Sequence, residues 1–97
     1  MTPSKLLGGL KAVDPETWHD LILWDVNTKL PETSPISMYI IQGCIQQACE
    51  KRGWGFMVCN HIADVSAEKD IYDSEIHDYP AEALLAAYVA AVREGKR

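Results

Sequence analysis

The chain has 97 residues, of which 47% are hydrophobic and 24% are charged, so we expect one small globular domain spanning residues 1–97. The formal net charge is −5 and the nine Lys and Arg residues are scattered, which excludes a protein that binds nucleic acid through clustered phosphate contacts. The N-terminal apolar run is too short for a secretory signal, and no stretch approaches eighteen apolar residues. With three cysteines, this composition predicts free thiols in a reducing, cytoplasmic compartment.

The first third of the chain, residues 1–34, is predicted to be a helical segment. Residues 3–12 favour a short helical turn, which Gly8 and Gly9 weaken. Asp14 is a suitable N-cap and Pro15 a suitable first residue for a second helix, which carries apolar residues at helical spacing. Residues 26–35 contain two prolines and several turn formers, so they predict a loop.

The remaining residues, 35–95, predict a helix–strand–strand–helix core. A helix begins at Pro35 and ends at Gly53, and its apolar residues form one stripe: Ile40, Ile41, Cys44, Ile45, Ala48 and Cys49. Residues 54–62 are rich in β-formers and predict a strand, residues 63–70 a turn, and residues 70–77 a second, antiparallel strand. A last helix follows Pro80 and stops at Gly95, with a buried face made of Leu84, Leu85, Tyr88, Val89 and Val92.

The predicted fold class is therefore α+β, with a short antiparallel sheet of two to three strands packed against three to four helices. A two-stranded sheet is only marginally stable alone. Either the segment from Asp25 to Leu30 adds a third strand, or two chains join their sheets. We therefore expect a homodimer as one way to complete the sheet.

Cys59 and His61 have the residue types of a metal site or of a thiol nucleophile with its base. If both lie in one strand they share a face, together with Met57 and Ala63, and His77 would be a third ligand if the strands pair in the right register. Zinc sites usually use closely spaced ligand pairs, and a second pair is absent from the sequence. The acidic surroundings also disfavour a thiolate. We interpret this stretch as a core strand and expect no catalytic residue, metal or cofactor.

The other two cysteines, Cys44 and Cys49, lie on the apolar stripe of the third helix. Free cysteine commonly behaves as a small buried hydrophobic residue, so we expect both to lie in the core. Trp54 enters the predicted strand and is also expected in the core. His19 is expected at the surface.

Six acidic residues crowd the predicted strands and the turn between them: Asp64, Glu68, Asp70, Asp73, Glu75 and Asp78. A calcium loop would need a glycine within a fixed pattern of acidic residues, and that glycine is absent from this stretch. Two interpretations stay open. The charges form a solvated edge that deters pairing with other strands, or the first five form an acidic surface that binds a basic partner. Trp24 is a further candidate for a partner-binding side chain.

Two stretches resemble a known family: CIQQACEKRGWGFMV, residues 44–58, and IHDYPAEALLAAYVAAVREG, residues 76–95. Together they resemble the small phage and prophage proteins of the phage ABA-sandwich, or NinX-like, type over roughly residues 35–95. The resemblance implies a phage-encoded, non-enzymatic accessory protein and brings no catalytic residue with it. With the acidic surface, it predicts a protein that binds a host protein in the bacterial cytoplasm. The most specific version of that function is inhibition of a host defence system.

Two other functions are open to the sequence. One is an oligomeric protein that sequesters a small nucleotide signal, with Lys51, Arg52 and His61 gathered at a subunit boundary. The other is a thiol or metal enzyme, which the arguments above disfavour. Neither function requires a membrane.

Overall fold

The computed structural model describes residues 3–28 and 35–94, and within them the side chains of residues 6–21 and 38–94. This part of the chain forms four helices, α1 Pro3–Val13, α2 Pro15–Thr28, α3 Pro35–Arg52 and α4 Pro80–Arg93. It also forms three strands, β1 Gly55–Cys59, β2 Ile62–Ala67 and β3 Asp70–Asp73, in one antiparallel sheet of order β1-β2-β3. The predicted α+β class, with a short sheet against helices, is confirmed.

The first helix is longer than predicted. Instead of a short turn, α1 has 11 residues and buries Leu6 and Leu10 in the core. The helix continues through Gly9 because α1 packs against α4. The packing is close at this position: a Cβ atom added to Gly9 would lie 3.2 Å from the Arg93 guanidinium. Close packing against a neighbouring helix thus stabilises a segment of weak intrinsic helix propensity.

Asp14 joins α1 to α2 as a single residue. Its backbone N–H donates to the Leu10 carbonyl at 2.7 Å, and its carboxylate accepts a hydrogen bond from the Thr17 backbone N–H at 3.3 Å. The predicted cap at Asp14 and the helix start at Pro15 are confirmed. The predicted loop over 26–35 is wrong for residues 26–28, which belong to α2, and residues 29–34 lie outside the described part.

The predicted single strand over 54–62 is wrong. Asn60 and His61 form a two-residue turn between β1 and β2, so Cys59 lies opposite Ile62. Residues 62–67, assigned mainly to a turn, form the central strand of the sheet. Its inward residues are small, two alanines and a valine, which gave a weak hydrophobic signal for the most buried strand.

The third strand of the sheet comes from within the predicted second strand. β3 comprises residues 70–73, and beyond it Ser74 and His77 still donate backbone hydrogen bonds to the carbonyls of Ala63 and His61. The alternative source of a third strand, residues 25–30, is wrong for residues 25–28, which are helical; residues 29 and 30 lie outside the described part.

Helix α4 lies at the centre of the fold and contacts α1, α3 and all three strands. Its predicted face is confirmed: Leu84, Leu85, Tyr88 and Val89 are buried, and Val92 is half-buried. The alanines of α4 are also mostly buried, which lets the sheet and the other helices approach its backbone closely. The predicted stop at Gly95 lies outside the described residues.

Helix α3 ends as predicted. Gly53 has φ +73°, the left-handed conformation typical of the residue after a helix, and Trp54 donates its backbone N–H to the Cys49 carbonyl. Trp54 and Cys49 are both buried, as expected. The inner face of the sheet therefore packs on α3 and α4, whereas its outer face is covered by no helix that the structure describes.

Candidate functional site

The hairpin turn decides which side chains of the sheet face the core. Because Cys59 lies opposite Ile62, Ala63 lies opposite Val58 and points inward with it. The predicted packed face of Met57, Cys59 and Ala63 is therefore wrong: Ala63 is buried, while Met57 and Cys59 point to the outer face and are exposed.

The outer face of the sheet carries one large exposed apolar side chain on each strand. Met57 on β1 is 57% exposed, Ile62 on β2 48%, and Ile71 on β3 65%. Met57 and Ile62 are diagonal neighbours across the β1–β2 pair, since Met57 lies opposite Asp64. We call these three side chains, with Asp64 and Asp73 between and beside them, the outer sheet face. Ile71 lies at a level four residues along the strands from Ile62, so the three side chains share this face but are spread over it. Exposed apolar side chains on one face are candidates for an interaction site.

The structure places two of the five predicted acidic residues side by side. Asp64, half-buried on β2, lies directly opposite Asp73, exposed on β3. Directly opposed side chains of like charge destabilise an antiparallel pair. This pair concentrates negative charge beside the exposed apolar side chains.

The other acidic residues are spread along the sheet. Glu68 occupies the β2–β3 turn with φ +58°, Asp70 begins β3, and Glu75 follows β3; all three are exposed. Trp24, the predicted aromatic contact, lies in α2, which contacts α1 and α3, and its side chain is outside the described residues.

In the part of the chain that the structure describes, the cysteine and histidine candidates do not form a metal site. Cys59 ends β1 at the surface, whereas His61 lies in the turn with its Nδ1 2.9 Å from the His77 carbonyl oxygen. The His77 ring instead faces Glu82, with Nδ1 3.7 Å from Oε2. Within the described residues, no three His, Cys, Asp or Glu side chains are placed to hold a metal ion.

The cysteines of α3 lie where the sequence predicted them. Cys49 is buried and Cys44 half-buried. Burial raises the pKa of both thiols, to about 11 for Cys49, so neither is a thiolate near neutral pH.

A polar cluster centred on Asp14 is not evident from the sequence. One oxygen of its carboxylate, Oδ2, accepts hydrogen bonds from the Tyr88 hydroxyl at 2.5 Å and the Thr17 hydroxyl at 2.6 Å, and lies 3.4 Å from the Arg52 guanidinium. Arg52 also donates from Nε to the Tyr88 oxygen at 2.9 Å and lies over the Trp54 ring at 4.9 Å. The cluster ties α2, α3, α4 and the start of β1 together.

The surroundings of this cluster shift the pKa values of its members in opposite directions. Burial raises the pKa of Asp14, but the hydrogen bonds from Thr17 and Tyr88 and the charge of Arg52 outweigh it, so the pKa lies below its ordinary 3.8. Burial, followed by the bond to Asp14, raises the pKa of Tyr88 to about 12. Asp14 is therefore a poor base and Tyr88 stays protonated near neutral pH, which favours a stabilising role over a catalytic one.

The cluster forms the floor of an open cleft of about 500 Å³ between α2 and α3. Lys51 and Arg52 line this cleft, but His61 does not, so the three residues proposed for a nucleotide site are not gathered in one chain. Carboxylates line it as well: Asp14, Glu16 and Asp20. No local sequence signal reveals this cleft, since Asp14 and Tyr88 are 74 positions apart.

We compared the chain with known protein-family models, with curated proteins and with solved structures, and found no match in any of the three. Among the helices that the structure describes, none has the length and apolar character needed to cross a membrane.

Proposed function

We propose that this protein acts by binding another protein through the outer sheet face, without catalysis. The observation that carries the proposal is the exposure of Met57, Ile62 and Ile71 on one face of the sheet, beside the opposed pair Asp64 and Asp73. Apolar side chains gain free energy when a partner removes them from water, at roughly 25 cal/mol per Å² of buried apolar area.

The charges of the face define the chemistry of the partner. By the register of the sheet, Asp64 and Asp73 lie between the levels of Ile62 and Ile71. A fitting partner would present a lysine or arginine to this pair, with apolar side chains on either side of the cation to cover the two isoleucines. Such a cation would relieve the repulsion within that pair and steer association at low salt. The net charge of −5 further favours a basic partner over an acidic one.

The resemblance to phage ABA-sandwich proteins supports a specific version of this proposal. A phage-encoded accessory protein would use the face to bind a protein of the bacterial host, in the host cytoplasm. Inhibition of a host defence system is the version we propose, because a small protein can block a host factor by contact alone.

Sequestration of a nucleotide signal is less well supported. The cleft beside α3 holds Lys51 and Arg52, which favour an anion. However, three carboxylates line the same cleft, and Arg52 already bonds to Asp14 and Tyr88. An anionic ligand would have to compete with Asp14 for this guanidinium and approach Glu16 and Asp20 closely.

The test is a comparative pull-down from bacterial lysate with the tagged protein and two variants. Ile62→Thr/Ile71→Thr removes apolar contacts from the outer sheet face and keeps β-branched residues in the strands. Tyr39→Thr is the matched control, because Tyr39 is 74% exposed and belongs to helix α3 instead of the sheet. We expect one stoichiometric partner with the wild type and the control, and loss of that partner with the double variant.

Salt gives a second readout of the same interaction. A partner held by the acidic pair should elute at lower salt from Asp73→Asn than from the wild type, since screening and charge removal weaken the same attraction. Equal retention of every protein by the wild type and the double variant would overturn the proposal.

A further inference from the structure

Within the described residues, strand β1 forms an edge of the sheet and presents a row of backbone groups there to which no further strand pairs. Ala63 directs both its carbonyl and its N–H toward the β3 side, where they bond to the Ser74 N–H and hydroxyl at 2.8 and 2.9 Å. Residues directly opposite in an antiparallel ladder either exchange both hydrogen bonds or turn both groups away. Val58, opposite Ala63, therefore turns both groups away from β2, and so does Phe56, opposite Val65.

The two edge strands of the sheet differ in the features that disfavour pairing with a further strand. β3 carries an aspartate at each end, which deters pairing with a second acidic chain. β1, Gly-Phe-Met-Val-Cys, contains no charged residue and no proline. The order of the sheet leaves its far side without a paired strand among the described residues.

We propose that two copies of this chain pair their β1 strands antiparallel, about a two-fold axis at Met57. In this register Phe56 of each copy lies opposite Val58 of the other. Each of these opposed pairs exchanges two hydrogen bonds, so all the open-edge groups of both residues are used, in four bonds. A shift by one residue would place each strand's side chains on the wrong face of the other.

The side chains of β1 favour the same pairing. Phe56 and Val58 point inward, but they are half-buried, whereas the inward residues of β2 are all buried. A second β1 strand would lie beside them and cover their exposed sides. On the outer face, Met57 of one copy would meet Met57 of the other, which covers two of the exposed apolar side chains.

The charge distribution selects this edge for self-association over the outer sheet face. Face-to-face packing of two copies would bring the Asp64 and Asp73 pairs together. Edge pairing at β1 makes one six-stranded sheet with the two β3 strands at its ends, five strand spacings or roughly 24 Å apart. This distance exceeds the screening length of about 8 Å at physiological salt, so the acidic strands do not repel appreciably.

The dimer does not rest on the proposed function, but it would extend that function. The two outer faces would lie on one continuous sheet, so a dimeric or repetitive partner could be bound at two points. Two five-residue strands paired by four hydrogen bonds make a small contact, and interfaces below roughly 1,200 Å² are typical of weak complexes, so we expect a dimer that dissociates on dilution.

Cross-linking through an introduced cysteine tests both the edge and the register. In a Cys59→Ser background, Met57→Cys places two thiols opposite each other across the axis, at a Cα separation compatible with a disulfide. We expect a covalent dimer on mild oxidation. Ile71→Cys in the same background is the matched control on the other edge strand, and we expect it to stay monomeric.

Sedimentation at increasing concentration measures the uncross-linked protein, whose monomer mass is 10.8 kDa. The wild type should approach twice this mass, and Val58→Pro should stay monomeric, because it removes an edge N–H that pairs with no other strand in the described part of the chain. Met57→Lys, which puts two like charges at the axis, gives the same test if Val58→Pro does not fold. A monomeric wild type, a dimer that survives both variants, or cross-linking through position 71 instead of 57 would overturn the proposal.

Discussion

Asp14 and Asp64 are both removed in part from solvent, but the molecule treats their carboxylates in opposite ways. Asp14, on the helical side, accepts hydrogen bonds from Thr17 and Tyr88 and lies beside Arg52. Asp64, on the outer sheet face, lies opposite the like charge of Asp73. The hydrogen bonds of Asp14 stabilise the fold, whereas the like charges of Asp64 and Asp73 are expected to destabilise it.

The apolar groups of the two regions differ in the same way. On the helical side the large apolar residues of α4 are buried, and among the described side chains no buried nitrogen or oxygen lacks a hydrogen-bond partner. On the outer sheet face three large apolar side chains stay in contact with water. The comparison separates groups that stabilise the fold from groups that we propose bind a partner.

The largest effect should follow from removal of the Asp14 carboxylate. Asp14→Ala deletes the cap of α2 and the acceptor of Tyr88 and Arg52, so we expect a loss of about 2–4 kcal/mol in the free energy of unfolding. Urea denaturation measures it. Asp20→Ala, exposed in the same cleft, is the control and should change stability by less than about 0.5 kcal/mol. A loss for Asp14→Ala as small as that expected for the control would show that the cluster contributes no stability.

A smaller loss is expected for Tyr88→Phe, about 1–2 kcal/mol. The ring remains and keeps its contact with Trp54, at 5.8 Å between centroids, while the hydroxyl that donates to Asp14 and accepts from Arg52 is lost. In a double-mutant cycle with Asp14→Ala the two losses should sum to more than the effect of the double variant. Simple additivity would indicate that the short hydrogen bond is not stabilising.

The pH dependence of stability is smaller still, because burial and hydrogen bonding shift the pKa of Asp14 in opposite directions. Since this pKa lies below its ordinary 3.8 in the folded protein, the ionised carboxylate stabilises the fold above about pH 4. This stabilisation is lost as the pH falls through the folded pKa. The free energy of unfolding of the wild type should therefore fall more steeply than that of Asp14→Asn between neutral pH and about pH 2.5. Parallel curves would contradict the assignment.

The helices could be predicted from the sequence to a large extent, because their signals are local. Asp14 with Pro15, Gly53 with its left-handed conformation, and the apolar face of α4 all act within a few residues of one another. Helix α1 is longer than the sequence predicts because its stability comes from packing against α4, which the sequence around Gly8 and Gly9 does not reveal.

The sheet and the polar cluster were harder to predict for physical reasons. A strand period of two residues cannot tell one long strand from two short ones, and Asn60-His61 is a weaker turn signal than a glycine-containing pair. That one error places Met57 on the same packed face as Ala63, whereas in the structure Met57 points outward and only Ala63 points inward. Asp14, Arg52 and Tyr88 meet only in three dimensions, so no spacing rule could find their cluster.

The smallest effect on stability should have the opposite sign. Asp73→Asn removes one charge of the opposed pair with Asp64, so we expect a gain of about 0.2–1 kcal/mol in the free energy of unfolding. Glu75→Gln is the matched control: Glu75 is exposed just beyond β3 and lies outside the paired residues of β2 and β3, so its substitution should leave stability unchanged.

The same substitution should weaken partner binding, since a cation of the partner would lose one of its two carboxylates. A variant that is more stable and binds less would identify the pair as a feature kept for binding at the expense of stability. If Asp73→Asn instead destabilises the protein, other contacts offset the repulsion between the two carboxylates. The carboxylates of the outer sheet face would then stabilise the fold, as Asp14 does on the helical side.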